Sequence, residues 1–456
     1  VSSLKPYKPS DSIYVLGLDL KARYIMHALA GSKAIPPVQF LIHNNFLYRM
    51  AKRKKHPLRI TLKRSGKYIT RGGLDAVYCG EKLGSKPHES RTEGPHIPNL
   101  IVTVPAGHVI DALTPIAHQL DHRSTICLIQ DGLGVAERVA ETLFPDELCR
   151  PTFVLGHLMS TLSHVPEHSR LIENGHLSVG LETRRKLLLS IPPLNRSEEG
   201  LPLFKPHPPD HRVVRRTHLL NLLETVPELQ ATKCKYRNFL RHYKLNMIAL
   251  RAIADPIATL LDITYDKFAQ HYYARKLIEN CVSEACDVIS RFPECRRDEK
   301  FSRFRLRVSL RAELFRVIRN QQSGDNKMRT LVSRGYMTDV DFTTGYLVER
   351  GRKLGASVDA LETLMLSVKA KQMVALKRQE EAIPFEEYYQ RDVSDMPQEK
   401  EGLEEGQTAE QEEPDFEGEN PEWVEPKHKV EGASPGAGGE KSVTEGSEVV
   451  ADNLHV

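Results

Sequence analysis

The stretch Ile13-Tyr14-Val15-Leu16-Gly17-Leu18-Asp19-Leu20-Lys21-Ala22 decides the fold. Its four leading apolar residues read as a buried strand and Gly17 as a tight turn. Arg23-Tyr24-Ile25-Met26-His27-Ala28-Leu29 then reads as a helix. Strand, glycine turn and helix in that order open a dinucleotide-binding α/β fold. Small residues at the first, third and sixth turn positions let the backbone approach a pyrophosphate at the helix N-terminus. Those positions here are Gly17, Asp19 and Ala22. Gly17 fits, and alanine is accepted at the sixth position. Asp19 does not fit, because it puts a negative side chain where phosphate oxygens must come close. The start of the fold is intact and its ligand chemistry is damaged.

Residues 12–190 go on alternating strands and helices. Pro37–His43, Asn99–Val104, Ser124–Ile129, Pro151–Gly156 and His176–Leu181 read as strands, with helices near residues 109–120 and 136–143. Short loops between them predict a parallel, doubly wound sheet, a Rossmann-like domain. Residues 84–98 read as a loop. Residues 191–218, with six prolines, read as a linker. Over residues 219–378 apolar side chains recur at three and four, which predicts an all-α second domain without strands. Residues 1–11 are an N-terminal extension. Residues 379–456 are rich in Glu, Gly, Pro and Ser and are expected to be disordered, with the only tryptophan at Trp423.

No run of 18 apolar residues exists in the chain, so no membrane span is expected. The seven cysteines form no CxxC pair. They read as reduced core thiols, and no metal site is expected. The chain begins at Val1 without methionine, and the expectation is a fragment or a removed leader, so that no targeting sequence can be read. The expected compartment is the mitochondrion, otherwise the cytoplasm.

The net charge of +4 hides an asymmetry. From Glu386 onward there are 21 acidic and 5 basic residues, a net of −16, so residues 1–385 carry +20. A body that basic suits a polyanion such as RNA; its own acidic tail offsetting the surface is the alternative. Three clusters contribute. Lys52, Arg53, Lys54 and Lys55 lie in a basic run that continues through Arg59, Lys63, Arg64 and Lys67. Lys233, Lys235, Arg237, Arg241 and Lys244 are interleaved with Tyr236 and Phe239. Arg303, Arg307 and Arg311 fall on one helix face.

Several segments together resemble the ketopantoate reductase (2-dehydropantoate 2-reductase) family, over residues 12–377. Val15-Leu16-Gly17 matches the start of its dinucleotide fold. Asn99–Ala106 matches its strand ending in a Lys-Ala pair. Gln130-Asp131-Gly132-Leu133-Gly134 matches its Gln-Asn-Gly-x-Gly turn. Met247–Leu260, with Pro256, matches its Lys-Leu-x-x-Asn-x-x-Ile-Asn-Pro-Leu-Thr helix. Asn326-Lys327-Met328 matches its Ser-Ser-Met, and Thr338–Tyr346 its Thr-Glu-Ile-Asp-Tyr-Ile-Asn-Gly.

The resemblance implies an NADP-binding Rossmann domain and a 6-phosphogluconate dehydrogenase-like helical domain, with the active site between them. It also implies a lysine that protonates the alkoxide formed by hydride transfer. Aligned on Pro256, that lysine is Met247, which donates no proton and is expected to fill core space. The family's two helix asparagines fall on Arg251 and Asp255. Its second lysine falls on Pro105, the turn asparagine on Asp131, the substrate serine on Lys327 and the glutamate on Asp339. The arginine for the 2′-phosphate falls on Asn44. Lys244, three residues before Met247, is the candidate substitute donor.

The reading favoured on these substitutions is a catalytically degenerate scaffold that binds RNA or a ribosome, as monomer or homodimer, with NADPH binding in doubt. The alternative is an active NADPH-dependent reductase with a rearranged site. A third is a sensor that binds NADPH without turnover.

Overall fold

The computed structural model describes residues 10–42, 58–79, 95–163, 165, 176–183, 186–193, 211–296, 299–320 and 326–381. The expectations for Asn44, the Lys52–Lys55 run, most of the 84–98 loop and the acidic tail lie outside these residues.

The opening strand β1 (Ile13–Leu16) is buried along its whole length. Ile13 and Val15 enter the core on one face of the sheet, and Tyr14 and Leu16 enter the core on the other. Being covered on both sides is what a continuous apolar run requires of a parallel strand. β2 (Gln39–Ile42) and β5 (Asn99–Val102) flank β1 in parallel, β6 (Thr125–Leu128) follows β5, and β7 (Thr152–Leu158) follows β6. Helix α1 (Leu20–Ala30) covers one face. α2 (Val109–Leu113) and α3 (Val135–Leu143) cover the other.

The sheet differs from the expected all-parallel one. Among the described residues it has eleven strands and antiparallel pairs at three places. β3 (Leu58–Arg64) and β4 (Lys67–Tyr78) form a hairpin. β8 (Thr161–Ser163) runs antiparallel to β9 (His176–Thr183), and β10 (Leu187–Ser190) antiparallel to β7. β9 joins β3 in parallel, so the hairpin extends the sheet instead of standing apart.

The boundary expected at residue 219 also falls elsewhere. α4 (His211–Glu224) sends Leu219, Leu220 and Leu223 into the sheet's core. The two-residue strand β11 (Thr232–Lys233) pairs with β10, inside the segment expected to hold no strand. The helical core begins at Leu240.

From there a helical turn (Tyr236–Asn238) and a π-helical run (Phe239–Lys244) lead into α5 (Leu245–Leu261). α5 is the central rod: α6 (Tyr272–Ser290), α7 (Arg303–Asn320), α8 (Lys327–Ser333), α9 (Thr344–Lys353) and α10 (Asp359–Glu381) all touch it. Pro256 sits inside this rod. It has no N–H, so the carbonyl of Ala252 one turn earlier lacks its helical donor. The Thr344 hydroxyl donates to that carbonyl at 2.9 Å, which lets the proline stay in a buried helix. Asn326 donates to the Asp255 carbonyl at 2.7 Å and Lys371 to that of Thr259 at 2.6 Å, fixing α8 and α10 to the rod. Among the described residues no helix is long and apolar enough to cross a membrane.

Candidate functional site

The turn after β1 shows what Asp19 does. It is the N-cap of α1, and its Oδ1 accepts the Ala22 N–H at 2.9 Å. A carboxylate at a helix N-terminus satisfies a free donor and the helix dipole together. Those are the donor and the dipole that a pyrophosphate would use in this fold. Gly17, at φ +132°, is needed for another reason: a Cβ there would lie 2.3 Å from the Thr103 hydroxyl at the end of β5. Ala22 is fully buried.

The second carboxylate, Asp131, follows β6. Lys21 Nζ donates to it at 2.6 Å, and the Arg251 guanidinium lies 3.4 Å from its other oxygen. Burial alone would raise its carboxyl, but Arg251 and Lys21 hold it well below the usual range. Gln130, beside it, donates its amide to the carbonyls of Val102 and Val104, while its own Oε1 is buried without a partner among the described residues.

The family positions on α5 part company. Met247, expected in the core, is 38 % exposed. Lys244 is the side chain that turns inward, only 2 % exposed, and its Nζ donates to the Gln130 carbonyl at 2.5 Å. Lys244 lies in the π-helical run, which breaks the spacing used to place it on the Met247 face. Burial pushes its ammonium down to about 7, opposed by Asp131 and reinforced by Lys21 and Arg251. Burial likewise drives His157, on β7, down to about 3, with Lys244 adding to the effect. Arg251 is raised, chiefly by Asp131. Asp255 is raised to about 6 by burial although Arg251 and the Tyr265 hydroxyl oppose it; that hydroxyl donates to its Oδ1.

The remaining positions are spread around this network. Asp339 is half-buried and within electrostatic reach of Arg251 and Asp255. Lys327 is the exposed first residue of α8 and touches none of these groups among the described residues. Pro105 opens the helical turn after β5. Gly132 is where the sheet meets α9's approach: a Cβ there would lie 2.6 Å from Phe342 Cβ, and the Leu133 N–H donates to the Phe342 carbonyl at 2.9 Å. A cleft among Gln130, Gly134, Tyr236, Lys244 and Tyr346 holds about 20 Å³ of free space, room for about one water. Among the described residues no cluster suited to a metal ion is found.

Sequence reasoning missed Lys21, Tyr265 and His157. Lys21 was visible in the turn but carries no signal of its own. Tyr265 and His157 reach the site only through tertiary packing.

The arginine stripe is present and exposed on α7, and two of its three arginines lie beside carboxylates. Arg303 lies 3.6 Å from Asp287, and Arg311 lies 2.9 Å from Glu279. Neighbouring Arg305 pairs with Glu299 at 3.2 Å.

Comparison with known proteins places this geometry. The profile described as Ketopantoate reductase PanE/ApbA matches residues 44–180, and that for the Ketopantoate reductase PanE/ApbA C terminal matches residues 240–372. The chain belongs to the ketopantoate reductase family. A relative from Schizosaccharomyces pombe, described as a probable 2-dehydropantoate 2-reductase, is 23 % identical over 79 % of this chain and 97 % of its own. The fold is shared with a ketopantoate reductase from Ralstonia eutropha JMP134 (TM-score 0.54, 13 % identity, 80 % of this chain and 99 % of that one). It is also shared with D-mandelate dehydrogenase in a complex with NADH and anilino(oxo)acetate (TM-score 0.55, 16 % identity, 80 % and 99 %). The lysine that faces inward at this site is Lys244.

Proposed function

We propose that this chain keeps the ketopantoate reductase fold as a scaffold, without hydride transfer, and that its basic body engages RNA, free or within a ribosome. The observation that carries the first half is the Asp19 carboxylate bound to the Ala22 N–H at the N-terminus of α1. A nicotinamide dinucleotide does not fit these residues as they stand. Its pyrophosphate would compete with Asp19 for that N-terminus and would add charge near Asp131. Two like charges 4 Å apart at an effective dielectric of about 20 repel by about 4 kcal/mol, roughly a thousandfold in affinity. The second half rests on the +20 charge of residues 1–385.

A second reading has its own observation. Lys244 is a buried ammonium poised near neutrality beside the Gln130–Asp131 turn, which is what a proton donor to a developing alkoxide requires. Under that reading the protein is an NADPH-dependent 2-dehydropantoate 2-reductase with its lysine moved by one turn. Steady-state NADPH oxidation with ketopantoate decides between them. The scaffold reading expects no turnover above a heat-treated control. Turnover that Lys244→Ala abolishes would establish the second reading.

A further inference from the structure

The body's charge is not evenly spread. Between Asp19 and Asp75 the chain carries thirteen Lys and Arg residues and no Asp or Glu. The described end of that stretch is the β3–β4 hairpin. Its two turn residues, Ser65 at φ 49° and Gly66 at φ 77°, are both left-handed, the geometry of a tight two-residue hairpin turn. Arg64 and Lys67 face each other across it. Both are exposed and neither has an ion-pair partner among the described residues. The next pair is Lys63 and Tyr68, with the Lys63 ammonium 5.4 Å from the ring centroid. Tyr68 and Ile69 are each 44 % exposed. β4 pairs with β2 only from Asp75 to Tyr78, so Lys67–Leu74 runs past the end of β2.

We infer that the β3–β4 hairpin is a single-stranded RNA interface, with Tyr68 as a base-stacking platform and Lys63, Arg64 and Lys67 as phosphate contacts. The inference rests on the RNA reading above and gives it a place. The charge argument selects this hairpin over α7, where Arg303, Arg305 and Arg311 each have a carboxylate within 4 Å, whereas Arg64 and Lys67 have none among the described residues. The exposed ring selects nucleic acid over a lipid surface: every base offers a face to an aromatic, and cations alongside take the phosphates. Duplex recognition needs no exposed ring, because the bases of a duplex are already stacked.

The test uses the full chain and fluorescence anisotropy with an unstructured RNA of about 12 nucleotides, within the site sizes of such proteins. Arg64→Glu/Lys67→Glu is expected to weaken binding at least about tenfold. It should also flatten the dependence of log K on log salt by about 1.4, two phosphates at about 0.7 each for a single strand. Tyr68→Ala is expected to weaken binding about fivefold or more, and Tyr68→Phe to restore it, since only the ring face is used. Arg303→Glu/Arg307→Glu on α7 is expected to change affinity less than about twofold. Melting curves matching the wild type ensure that the variants are folded. Wild-type RNA affinity in both hairpin variants would overturn the hairpin while leaving the RNA reading in place. No RNA binding by the wild-type chain would overturn both. Equal losses on RNA and on a DNA strand of the same sequence would keep the site and remove any role for the ribose hydroxyls. Loss of binding only to phosphatidylserine vesicles would replace nucleic acid by a lipid surface.

Discussion

Lys21 Nζ and Asp131 Oδ1 meet at 2.6 Å, joining the turn after β1 to the turn after β6 across 110 residues of chain. Arg251 completes the pair from the helical half. The network ties together the turns after β1 and β6 and the helix α5.

Asp131→Asn removes the charge that both cations share and leaves them facing each other. The three side chains are only partly buried, so the cost should fall between the roughly 1 kcal/mol of an exposed pair and the roughly 3 kcal/mol of a buried one, and the urea midpoint should drop at neutral pH. The Asp131 carboxyl is depressed in the folded state. Its contribution is therefore complete above the unfolded value of about 3.9 and is lost only as pH falls through the lower folded value. The gap between wild type and variant should not shrink from about pH 7 to 5, and should widen as Lys244, which Asp131 helps to keep protonated, takes up its proton in the wild type only. A gap that closes by pH 5 would contradict the ion-pair account.

Lys244 has the opposite sign from a paired lysine. Its folded value is lowered to about 7, so between about 7 and 10.5 the unfolded chain binds the extra proton and stability rises with pH. Below about 7 the folded protein carries a buried charge. Lys244→Met should therefore stabilise the fold at pH 6, with the advantage gone by about pH 10. The carbon-13 NMR signal of dimethylated Lys244 should titrate near 7; titration above 9 would contradict its placement.

Asp255 is raised to about 6 and accepts from Tyr265. A raised carboxyl is favoured in its neutral form, so its cost is absent below the unfolded value of about 3.9, grows as pH rises and is full above about 6. Asp255→Asn keeps an acceptor for Tyr265 and never ionises. It should raise the melting temperature at pH 7.5 and leave it unchanged at pH 4. A lower melting temperature at pH 7.5 would mean that the ionised carboxylate is stabilising through Arg251.

Gly132→Ala would push a methyl against Phe342, whose Cβ and carbonyl lie 2.6 and 3.0 Å from the new atom. Backbone lies on one side, so relief requires moving the contact between the sheet and the helical half. Overpacking of this kind costs about 1–3 kcal/mol. Chemical denaturation should show that loss. A change below about 0.5 kcal/mol would mean that the contact gives way easily.

The parallel centre of the sheet was legible because β1, β5 and β6 are buried on both faces and read as unbroken apolar runs. The β3–β4 hairpin was not. Its turn is Ser65-Gly66, without the Asn or Asp that marks such turns, and its bases masked the alternation of Ile60 and Leu62. α4 was read partly as linker and partly with the helical half, because helical periodicity does not say which core a helix joins. At the site, the substitutions at Met247, Arg251, Asp255 and Asp131 were readable one by one. Their outcome was not: Met247 faces outward, Lys244 faces inward from a π-helical run, and Arg251 pairs with a carboxylate far away in sequence. Spacing rules for a regular α-helix do not carry through that run.

The measurement that bears most directly on the central claim is calorimetric titration of NADPH into the wild-type chain and into Asp19→Gly. If the Asp19 carboxylate holds the N-terminus of α1, the wild type should give no saturable heat up to about 1 mM. Asp19→Gly should then bind at least about tenfold more tightly, in line with removing one like charge at close range. Micromolar binding by the wild type, unchanged in Asp19→Gly, would contradict the account.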